Sequence, residues 1–162
     1  MIAGFEPRAD KVMLELGVGT GAITKVIKDI VPDENSYLGI EIDPVLVRSL
    51  NKKFSSLRIV RGDARDVVDI HERSGFGPIG YIICCLPFVS LPNTVGVDIL
   101  AEIDRYMQKG CTFRTFQYAH GYYMPSAIKL REFMRDRYGK AKRSPLIVKN
   151  VPPAYTLTWS TN

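Results

Sequence analysis

The sequence predicts an α/β fold: a doubly wound, mostly parallel seven-stranded sheet with helices on both faces and an antiparallel hairpin at its C-terminal edge. Short apolar segments alternate with segments in which apolar residues recur every three or four positions. This alternation is typical of a parallel sheet covered by helices. The last two predicted strands have no helix between them, so we expect them to pair antiparallel. Residues 1–162 are expected to form a single domain.

The predicted strands are short runs of apolar residues that end at glycine, proline or polar residues. The first strand is apolar except for Glu15 and leads directly into a group of glycines. The fourth is apolar throughout, as expected for a central strand of a parallel sheet. The seven predicted segments are Val12–Leu16, Tyr37–Ile42, Leu57–Val60, Ile79–Cys85, Thr112–Tyr118, Lys142–Val148 and Tyr155–Ser160.

Helices are predicted where apolar residues recur at helical spacing between these strands. Asp43 followed by Pro44 is typical of an N-cap and a first helical turn, and the apolar face of that helix continues to Phe54. Gly110 closes the longest helix in the manner of a C-cap. The other predicted helices are Ala22–Ile30, Ala64–Glu72, Asn93–Met107 and Ile128–Tyr138.

The charge of the chain is positive and unevenly distributed. The formal net charge is +5, and the segment from Ile128 to Lys149 alone carries eight basic and two acidic residues. Such a segment attracts phosphate-bearing partners, either nucleic acid or an anionic membrane surface. No apolar run is long enough for a transmembrane segment, and the start of the chain lacks the pattern of a secretory signal. Three cysteines without metal-ligand spacing predict no metal site and a cytoplasmic protein.

The first strand leads into the segment Glu15-Leu16-Gly17-Val18-Gly19-Thr20-Gly21, at the edge where open α/β sheets bind ligands. Glycines there let the backbone approach a ligand closely. The spacing Gly17-x-Gly19-x-x-Ala22 also satisfies the dinucleotide pattern, so the glycines alone leave NAD and S-adenosylmethionine open. Glu41 follows at the end of the second strand, where a carboxylate accepts hydrogen bonds from ribose hydroxyls in either cofactor.

Three features favour S-adenosylmethionine over a dinucleotide. Glu15 would repel a pyrophosphate, whereas a zwitterionic amino acid with a sulfonium tolerates a nearby carboxylate. Gly62-Asp63-Ala64 follows the third strand, where an acid can accept from an adenine amino group. The segment from Cys84 to Phe88 follows the fourth strand, where a methyl acceptor would lie beside the sulfonium.

In these motifs the chain resembles the seven-stranded, Rossmann-like S-adenosylmethionine-dependent methyltransferases. Glu15-Leu16-Gly17-x-Gly19-x-Gly21 resembles their first motif, Gly39-Ile40-Glu41-Ile42-Asp43 their second, and Gly62-Asp63-Ala64 their third. The resemblance implies that S-adenosyl-L-methionine binds at the ends of the first strands. The cofactor-binding residues implied are Glu15, Gly17, Gly19, Thr20, Gly21, Glu41, Ile42, Asp63, Ala64, Cys84 and Leu86.

Two subfamilies of that fold carry Leu-Pro after the fourth strand. Ribosomal RNA adenine dimethylases have Asn-Leu-Pro-Tyr there, whereas this chain has Cys85-Leu86-Pro87-Phe88, and a cysteine cannot supply the amide carbonyl. The run from Leu86 to Pro92 resembles the Leu-Pro-x-x-Ser-Leu-Pro segment of bacterial phospholipid N-methyltransferases. Phe116-Gln117-Tyr118 and Asn150-Val151-Pro152-Pro153-Ala154 resemble later segments of the same enzymes.

The resemblance to these enzymes implies methylation of the amine of a phospholipid headgroup such as phosphatidylethanolamine. Tyr118 or His120 would take the proton of the amine or orient the headgroup, and Phe88 could stack against the acceptor. The basic segment would then bind an anionic surface peripherally, at the inner face of the membrane. Ahead of Val12 we expect no counterpart of the family's N-terminal lid segment. Two alternatives stay open: an rRNA adenine N6-methyltransferase, and a cofactor-binding domain without activity.

Overall fold

A seven-stranded sheet forms the centre of the computed structural model, which describes residues 1–2, 4–148 and 151–161. The strand order is β3-β2-β1-β4-β5-β7-β6, with β1 to β5 parallel, β7 antiparallel to β5, and β6 antiparallel to β7. The strands are β1 Val12–Leu16, β2 Tyr37–Glu41, β3 Arg58–Arg61, β4 Ile79–Cys84, β5 Thr112–Tyr118, β6 Lys142–Arg143 and β7 Ala154–Ser160. This arrangement confirms the predicted fold class.

Helices cover both faces of the sheet and separate two apolar clusters. One face of the sheet packs against α3, α4 and α5, and the other against α1 and α2. Successive side chains of β1 point to opposite faces of the sheet, so this strand contributes to both clusters. Leu14 and Leu16 belong to the first cluster and Met13 to the second. The helices are α1 Thr24–Ile27, α2 Pro44–Lys53, α3 Val67–Ser74, α4 Asn93–Met107 and α5 Pro125–Tyr138.

The cap predicted for α2 is present. The Asp43 carboxylate accepts hydrogen bonds from the backbone N–H groups of Val45 and Leu46, at 2.7 and 3.3 Å, and Pro44 occupies the first turn. These bonds satisfy donors that have no partner inside a helix. Because Asp43 directly follows β2, the cap also fixes where the chain turns at the carboxyl edge of the sheet.

Helix α1 is much shorter than the predicted Ala22–Ile30. Around it the backbone hydrogen bonds span either three or four residues. The Val26 N–H donates to the Ile23 carbonyl and the Lys28 N–H to the Thr24 carbonyl, both at 2.9 Å. No side chain caps its start. The segment is rich in β-branched residues, which lose side-chain freedom in a helix, and this accounts for the irregular coil.

Other boundaries also differ from prediction: α3 begins at Val67 instead of Ala64, after a 3-10 turn, and several strand ends shift by one residue. Two larger differences have a cause in the sequence. Helix α5 begins at Pro125, three residues before the predicted Ile128, because a proline at the first position needs no N–H donor. Strand β6 ends at Arg143 instead of Val148, since Pro145 cannot donate to a strand ladder. Beyond it the Ser144 N–H donates to the Thr156 carbonyl at 2.9 Å, and an isolated bridge joins Ile147 to Ala154. The predicted motif residue Asn150, like Lys149 of the basic segment, lies outside the described residues.

Within the part of the chain that the structure describes, none of the helices combines the length and the apolar character needed to cross a membrane.

Candidate functional site

The loop between β1 and α1 contains glycines that no other residue could replace without movement. Gly17 has φ +75°, and a Cβ atom there would lie 2.6 Å from Leu86 Cδ2. Gly21 has φ +78°, and its Cβ would lie 2.5 Å from the ring of Phe54. Both conformation and space therefore require glycine, because L residues rarely adopt this φ and the neighbours are close. The loop is thus packed closely against the residues that follow β4 and against the end of α2.

A cavity of about 370 Å³ opens beside this loop at the carboxyl ends of β1, β4 and β5. We call it the loop cavity. One wall is the glycine loop from Gly17 to Thr20, and the opposite wall carries aromatic and hydroxyl side chains of β5 and β7. The position is the one at which the strand order reverses, between β1 and β4, where α/β sheets bind ligands. Across from the loop the cavity is lined by Cys85, Phe116, Tyr118, Ala154 and Thr156.

Glu15 lies beneath the loop and is completely buried, with 0% of its surface exposed. Its Oε2 accepts hydrogen bonds from the hydroxyls of Tyr37, at 2.7 Å, and Thr24, at 2.9 Å. Its Oε1 has no partner among the described residues. Burial raises the pKa of Glu15 to about 7, and the nearby Glu41 carboxylate contributes in the same direction. A buried acceptor is therefore held beneath the glycine loop with one oxygen unpaired.

Glu41 ties the end of β2 to the same loop. Its Oε2 accepts a hydrogen bond from the Gly19 N–H at 2.8 Å, and its Oε1 accepts from the Asp43 N–H at 3.0 Å. The side chain is 7% exposed. The predicted ribose-binding carboxylate thus lies directly against the predicted glycine loop.

The residues predicted for the adenine end lie further along the same edge, past the ends of β2 and β3, and do not line the loop cavity. Ile42 is 62% exposed, an unusual exposure for isoleucine beside a buried carboxylate. Asp63 caps the 3-10 turn Ala64–Asp66 and pairs with the Arg65 guanidinium at 2.7 Å, which lowers the pKa of Asp63. The Ala64 side chain belongs to the core.

The structure places the two adjacent cysteines differently from the prediction. The Cys84 side chain is buried in the core cluster that faces α4 and α5, and its carbonyl accepts from the Thr115 hydroxyl at 3.0 Å. The side chain of Cys84 therefore does not face the loop cavity; Cys85 lines it instead. Burial raises the pKa of the Cys85 thiol above its usual range, so the group is a neutral thiol at pH 7. Leu86 is the residue that packs against Gly17.

A second cavity, of about 260 Å³, lies on the other side of Phe116 and Tyr118, which line both cavities. We call it the aromatic cavity. All three residues predicted for catalysis, Phe88, Tyr118 and His120, line it. The rings of Tyr118 and His120 are stacked, with centroids 5.6 Å apart. Tyr118 is half-buried and His120 is exposed, so the pair reaches from the cavity wall to its rim.

The basic segment predicted to bind phosphates is only partly available to a partner. The Arg131 guanidinium stacks on the Tyr122 ring, 3.9 Å from its centroid, and donates to Gln117 Oε1 at 2.6 Å. Arg135 and Arg137 pair with aspartates of α5 and α4. The segment is therefore not one uniform cationic surface, and its exposed lysines in the described residues are Lys129, Lys140 and Lys142.

Sequence reasoning missed several residues that line the loop cavity. Ala154 and Thr156 lie on β7 directly opposite Tyr118 and Phe116 of β5. The antiparallel hairpin of β6 and β7 was predicted, but the pairing of β7 with β5, and the register that brings these side chains to the cavity, are not visible in a hydropathy pattern. Among the described residues, no three His, Cys, Asp or Glu side chains are grouped so as to hold a metal ion.

The strand order, the glycine loop and the acid at the end of β2 together define the fold of the S-adenosylmethionine-dependent methyltransferases. The fibrillarin of Aeropyrum pernix, crystallised with natively bound S-adenosyl-L-methionine, superposes with a TM-score of 0.69 at 13% identity. The superposition covers 97% of this chain and 69% of that protein. A likeness at this identity demonstrates the shared fold alone.

Two curated relatives match in sequence. An ornithine lipid N-methyltransferase of Singulisphaera acidiphila is 32% identical over 106 residues, which are 64% of this chain and 55% of the relative. A ribosomal RNA small subunit methyltransferase H of Coprothermobacter proteolyticus is 27% identical over 149 residues, 88% of this chain and 49% of the relative. The chain thus spans about half the length of each. No protein-family model matches the chain.

Proposed function

We propose that this chain is an S-adenosylmethionine-dependent N-methyltransferase whose acceptor is the amine of a lipid headgroup. The observation that carries the cofactor assignment is the contact between the Glu41 carboxylate and the Gly19 N–H. It brings the predicted ribose acceptor and the predicted glycine loop together at the point where the strand order reverses. Phosphatidylethanolamine is the headgroup we test first.

The residues around the glycine loop fit this cofactor better than a dinucleotide, although neither Glu15 nor Glu41 is among the described residues that line the loop cavity itself. The unpaired Oε1 of buried Glu15 is an acceptor suited to a cationic ligand group, and the fully buried side chain would repel a pyrophosphate. Gly17 to Thr20 would hold the methionine portion, Glu41 the ribose hydroxyls, and exposed Ile42 would pack on the adenine. Asp63 would accept from the adenine amino group only if it gave up part of its pairing with Arg65.

S-Adenosylmethionine supplies an electrophilic methyl group when it is bound. The protein's task is to hold an unprotonated amine in line with that methyl, and positioning of this kind contributes much of the rate enhancement. Phe116 and Tyr118 form the wall shared by the two cavities, so an amine lying against them would reach both. The Tyr118 oxygen, with His120 stacked behind it, would orient the amine, and as a phenolate it would take the proton of the amine and become the neutral phenol.

Three features support a lipid acceptor. The curated relative with the higher identity is an ornithine lipid N-methyltransferase. The aromatic cavity is lined mainly by apolar and aromatic side chains, as expected where an acyl-bearing headgroup enters. Exposed apolar residues lie on the loops after β5 and β6, which also contribute residues to the linings of both cavities, and they could enter the headgroup region of a membrane. They are Tyr123, Met124, Leu146, Ile147, Val148 and Val151.

RNA is the second candidate acceptor, because the other curated relative is a ribosomal RNA methyltransferase that aligns with 88% of this chain. A cation-rich chain with net charge +5 would also suit a phosphate backbone. Against RNA, Cys85 replaces the asparagine of the adenine dimethylases, and the structure places its thiol on the cavity wall.

An acceptor assay separates these candidates. Tritium-labelled S-adenosylmethionine is incubated with the protein and either phosphatidylethanolamine–phosphatidylglycerol vesicles or ribosomal RNA. We expect label in the lipid fraction. Label in RNA alone would contradict the lipid acceptor, and cofactor binding without transfer to either would leave a binding domain without this activity.

A further inference from the structure

Arg131, in the middle of α5, is bound to neighbouring residues of the protein on three sides. Its Nη1 donates to Gln117 Oε1 at 2.6 Å and to the Tyr122 carbonyl at 2.8 Å. Its guanidinium also lies over the Tyr122 ring, 3.9 Å from the centroid. Arginine suits this combination, because a planar guanidinium can stack on a ring while its N–H groups donate hydrogen bonds.

The two acceptors lie at either end of a short segment, Tyr118–Gly121, which we call the Tyr118 segment. Gln117 directly precedes it and Tyr122 directly follows it. Tyr118 is the last residue of β5, and the 3-10 turn Ala119–Gly121 makes up the rest. One nitrogen atom of Arg131 therefore joins both ends of the segment that contains the two residues proposed to receive the amine proton.

The strand end of the segment is fixed to α5 through Gln117. This side chain is 4% exposed, and its Nε2 donates to the Ala127 carbonyl of α5 at 3.2 Å while its Oε1 accepts from Arg131. Successive side chains of a strand point to opposite faces, so Tyr118 points away from α5. The contacts of Gln117 thus hold the backbone from which the Tyr118 ring projects.

The other end of the segment is held between α5 and β7. The Tyr122 ring meets the Tyr155 ring of β7 edge-on, with centroids 5.0 Å apart, and Arg131 covers its face. Inside the segment the Ala119 N–H donates to the Pro153 carbonyl at 2.8 Å. The Tyr122 N–H to Ala119 carbonyl bond is longer, at 3.4 Å. The turn itself is therefore weakly bonded, and its ends determine where the segment lies.

We propose that Arg131 is a positioning residue for methyl transfer: it holds the Tyr118 segment so that the Tyr118 oxygen faces the amine, with His120 stacked behind it. This inference rests on the proposed function, from which it takes the role of Tyr118. Arg131 is not among the described residues that line the loop cavity or the aromatic cavity, so it acts through the segment and not by contact with the acceptor.

The position of the segment is measured first without turnover. The chain has two histidines, His71 and His120, whose ring protons are followed by NMR and assigned with His120→Gln. Because the His120 ring stacks on Tyr118, the ring current shifts its signal from its position in the urea-unfolded protein. In Arg131→Lys, which keeps the charge but loses the planar guanidinium, the His120 signal should move toward the unfolded position while the His71 signal stays. The matched control Arg135→Lys changes an exposed arginine one turn further along α5 and should move neither signal.

A second variant removes the same contact from the strand side. Gln117→Leu keeps the approximate size of the side chain but removes the acceptor of Arg131, and the His120 signal should move in the same direction as in Arg131→Lys. If the His120 signal stays in place in both variants, as in Arg135→Lys, then Arg131 does not hold the segment and the proposal is wrong.

A double-mutant cycle decides whether this positioning serves methyl transfer. We expect Arg131→Lys to lower kcat about tenfold, with the Kd of S-adenosylhomocysteine unchanged. In the Tyr118→Phe background the same substitution should lower kcat by about twofold at most, because the oxygen that it positions is gone. A tenfold loss in both backgrounds, or a loss confined to KM, would contradict positioning through Tyr118. If the wild type methylates no phosphatidylethanolamine, the proposed function fails, while the histidine spectra still decide whether Arg131 holds the segment.

Discussion

The backbone N–H of Gly19 donates a hydrogen bond to the Glu41 carboxylate at 2.8 Å, across 22 positions of the chain. This contact joins the loop after β1 to the end of β2. It also satisfies an N–H that a phosphate-binding loop would present to its ligand. The site is accordingly organised around a carboxylate, and it suits a ligand that offers hydroxyl donors.

Replacing Glu41 tests this organisation. Glu41→Gln keeps the size of the side chain but removes its charge, and charge-assisted bonds to ribose hydroxyls are stronger than neutral ones. We expect the Kd for S-adenosylhomocysteine to rise about 30-fold by calorimetry, which corresponds to about 2 kcal/mol. The exposed Glu72→Gln on α3 is the control and should bind normally.

The glycine loop gives a prediction that separates backbone strain from crowding. Gly21→Ala would force both a positive φ and a contact with Phe54, whereas Gly75→Ala at the end of α3 has φ +74° with nothing within 4 Å of its Cβ. Gly75→Ala should lower the free energy of unfolding by about 1 kcal/mol. Gly21→Ala should lose about 1–3 kcal/mol more through overpacking. Equal losses in urea denaturation would show that Phe54 does not crowd the loop.

Buried Glu15 predicts a pH dependence of stability. Its pKa rises from 4.5 to about 7 on folding, so between these values the folded protein holds the proton more tightly than the unfolded chain. This contribution is fully present below pH 4.5 and is lost as the pH rises through 7. It amounts to about 3 kcal/mol.

Glu15→Gln removes that titration. We take the unfolding free energy of the variant minus that of the wild type, measured by denaturant titration at each pH. This difference should increase by about 3 kcal/mol from pH 4.5 to pH 8. The exposed Glu72→Gln should show a constant difference over the same range. If the difference between Glu15→Gln and the wild type were also independent of pH, the pKa of Glu15 would be the same in the folded and the unfolded protein.

The assignment of Tyr118 is tested by removing only its hydroxyl. Tyr118→Phe keeps the aromatic wall of both cavities, so cofactor affinity should be unchanged while kcat falls about 100-fold. His120→Gln is compared in parallel, because its ring stacks on Tyr118 at the exposed rim. A greater loss of kcat in His120→Gln would transfer the proton-accepting role to the histidine.

Some elements were predictable residue by residue because their signals are local. Helix α4 and strand β5 have the predicted bounds, and Asp43 caps α2 as its sequence indicates. The strand predicted over Lys142–Val148 runs through Pro145, and there the prediction is wrong, since β6 ends at Arg143. Local patterns fail where two preferences oppose each other. In α1 the apolar spacing favours a helix, whereas the many β-branched residues disfavour one.

The sequence motifs predicted part of the site, but they did not predict side-chain orientation along β4 or the register of the last strands. Glu15, Glu41 and the glycines meet as their spacing implied, since parallel strands align their carboxyl ends. Cys84 and Cys85 could not be distinguished, because β4 is apolar on both faces and shows no alternation. The position of Thr156 opposite Phe116 depends on the register of β7 against β5, which emerges only in the folded sheet.

The most direct test of the central claim is a calorimetric titration of the protein with S-adenosylhomocysteine, repeated in the presence of excess NAD and with Glu41→Gln. We predict one saturable site that NAD does not compete for and that the substitution weakens about 30-fold. Absence of binding, displacement by NAD, or full affinity in Glu41→Gln would contradict a nucleoside site held between the glycine loop and Glu41.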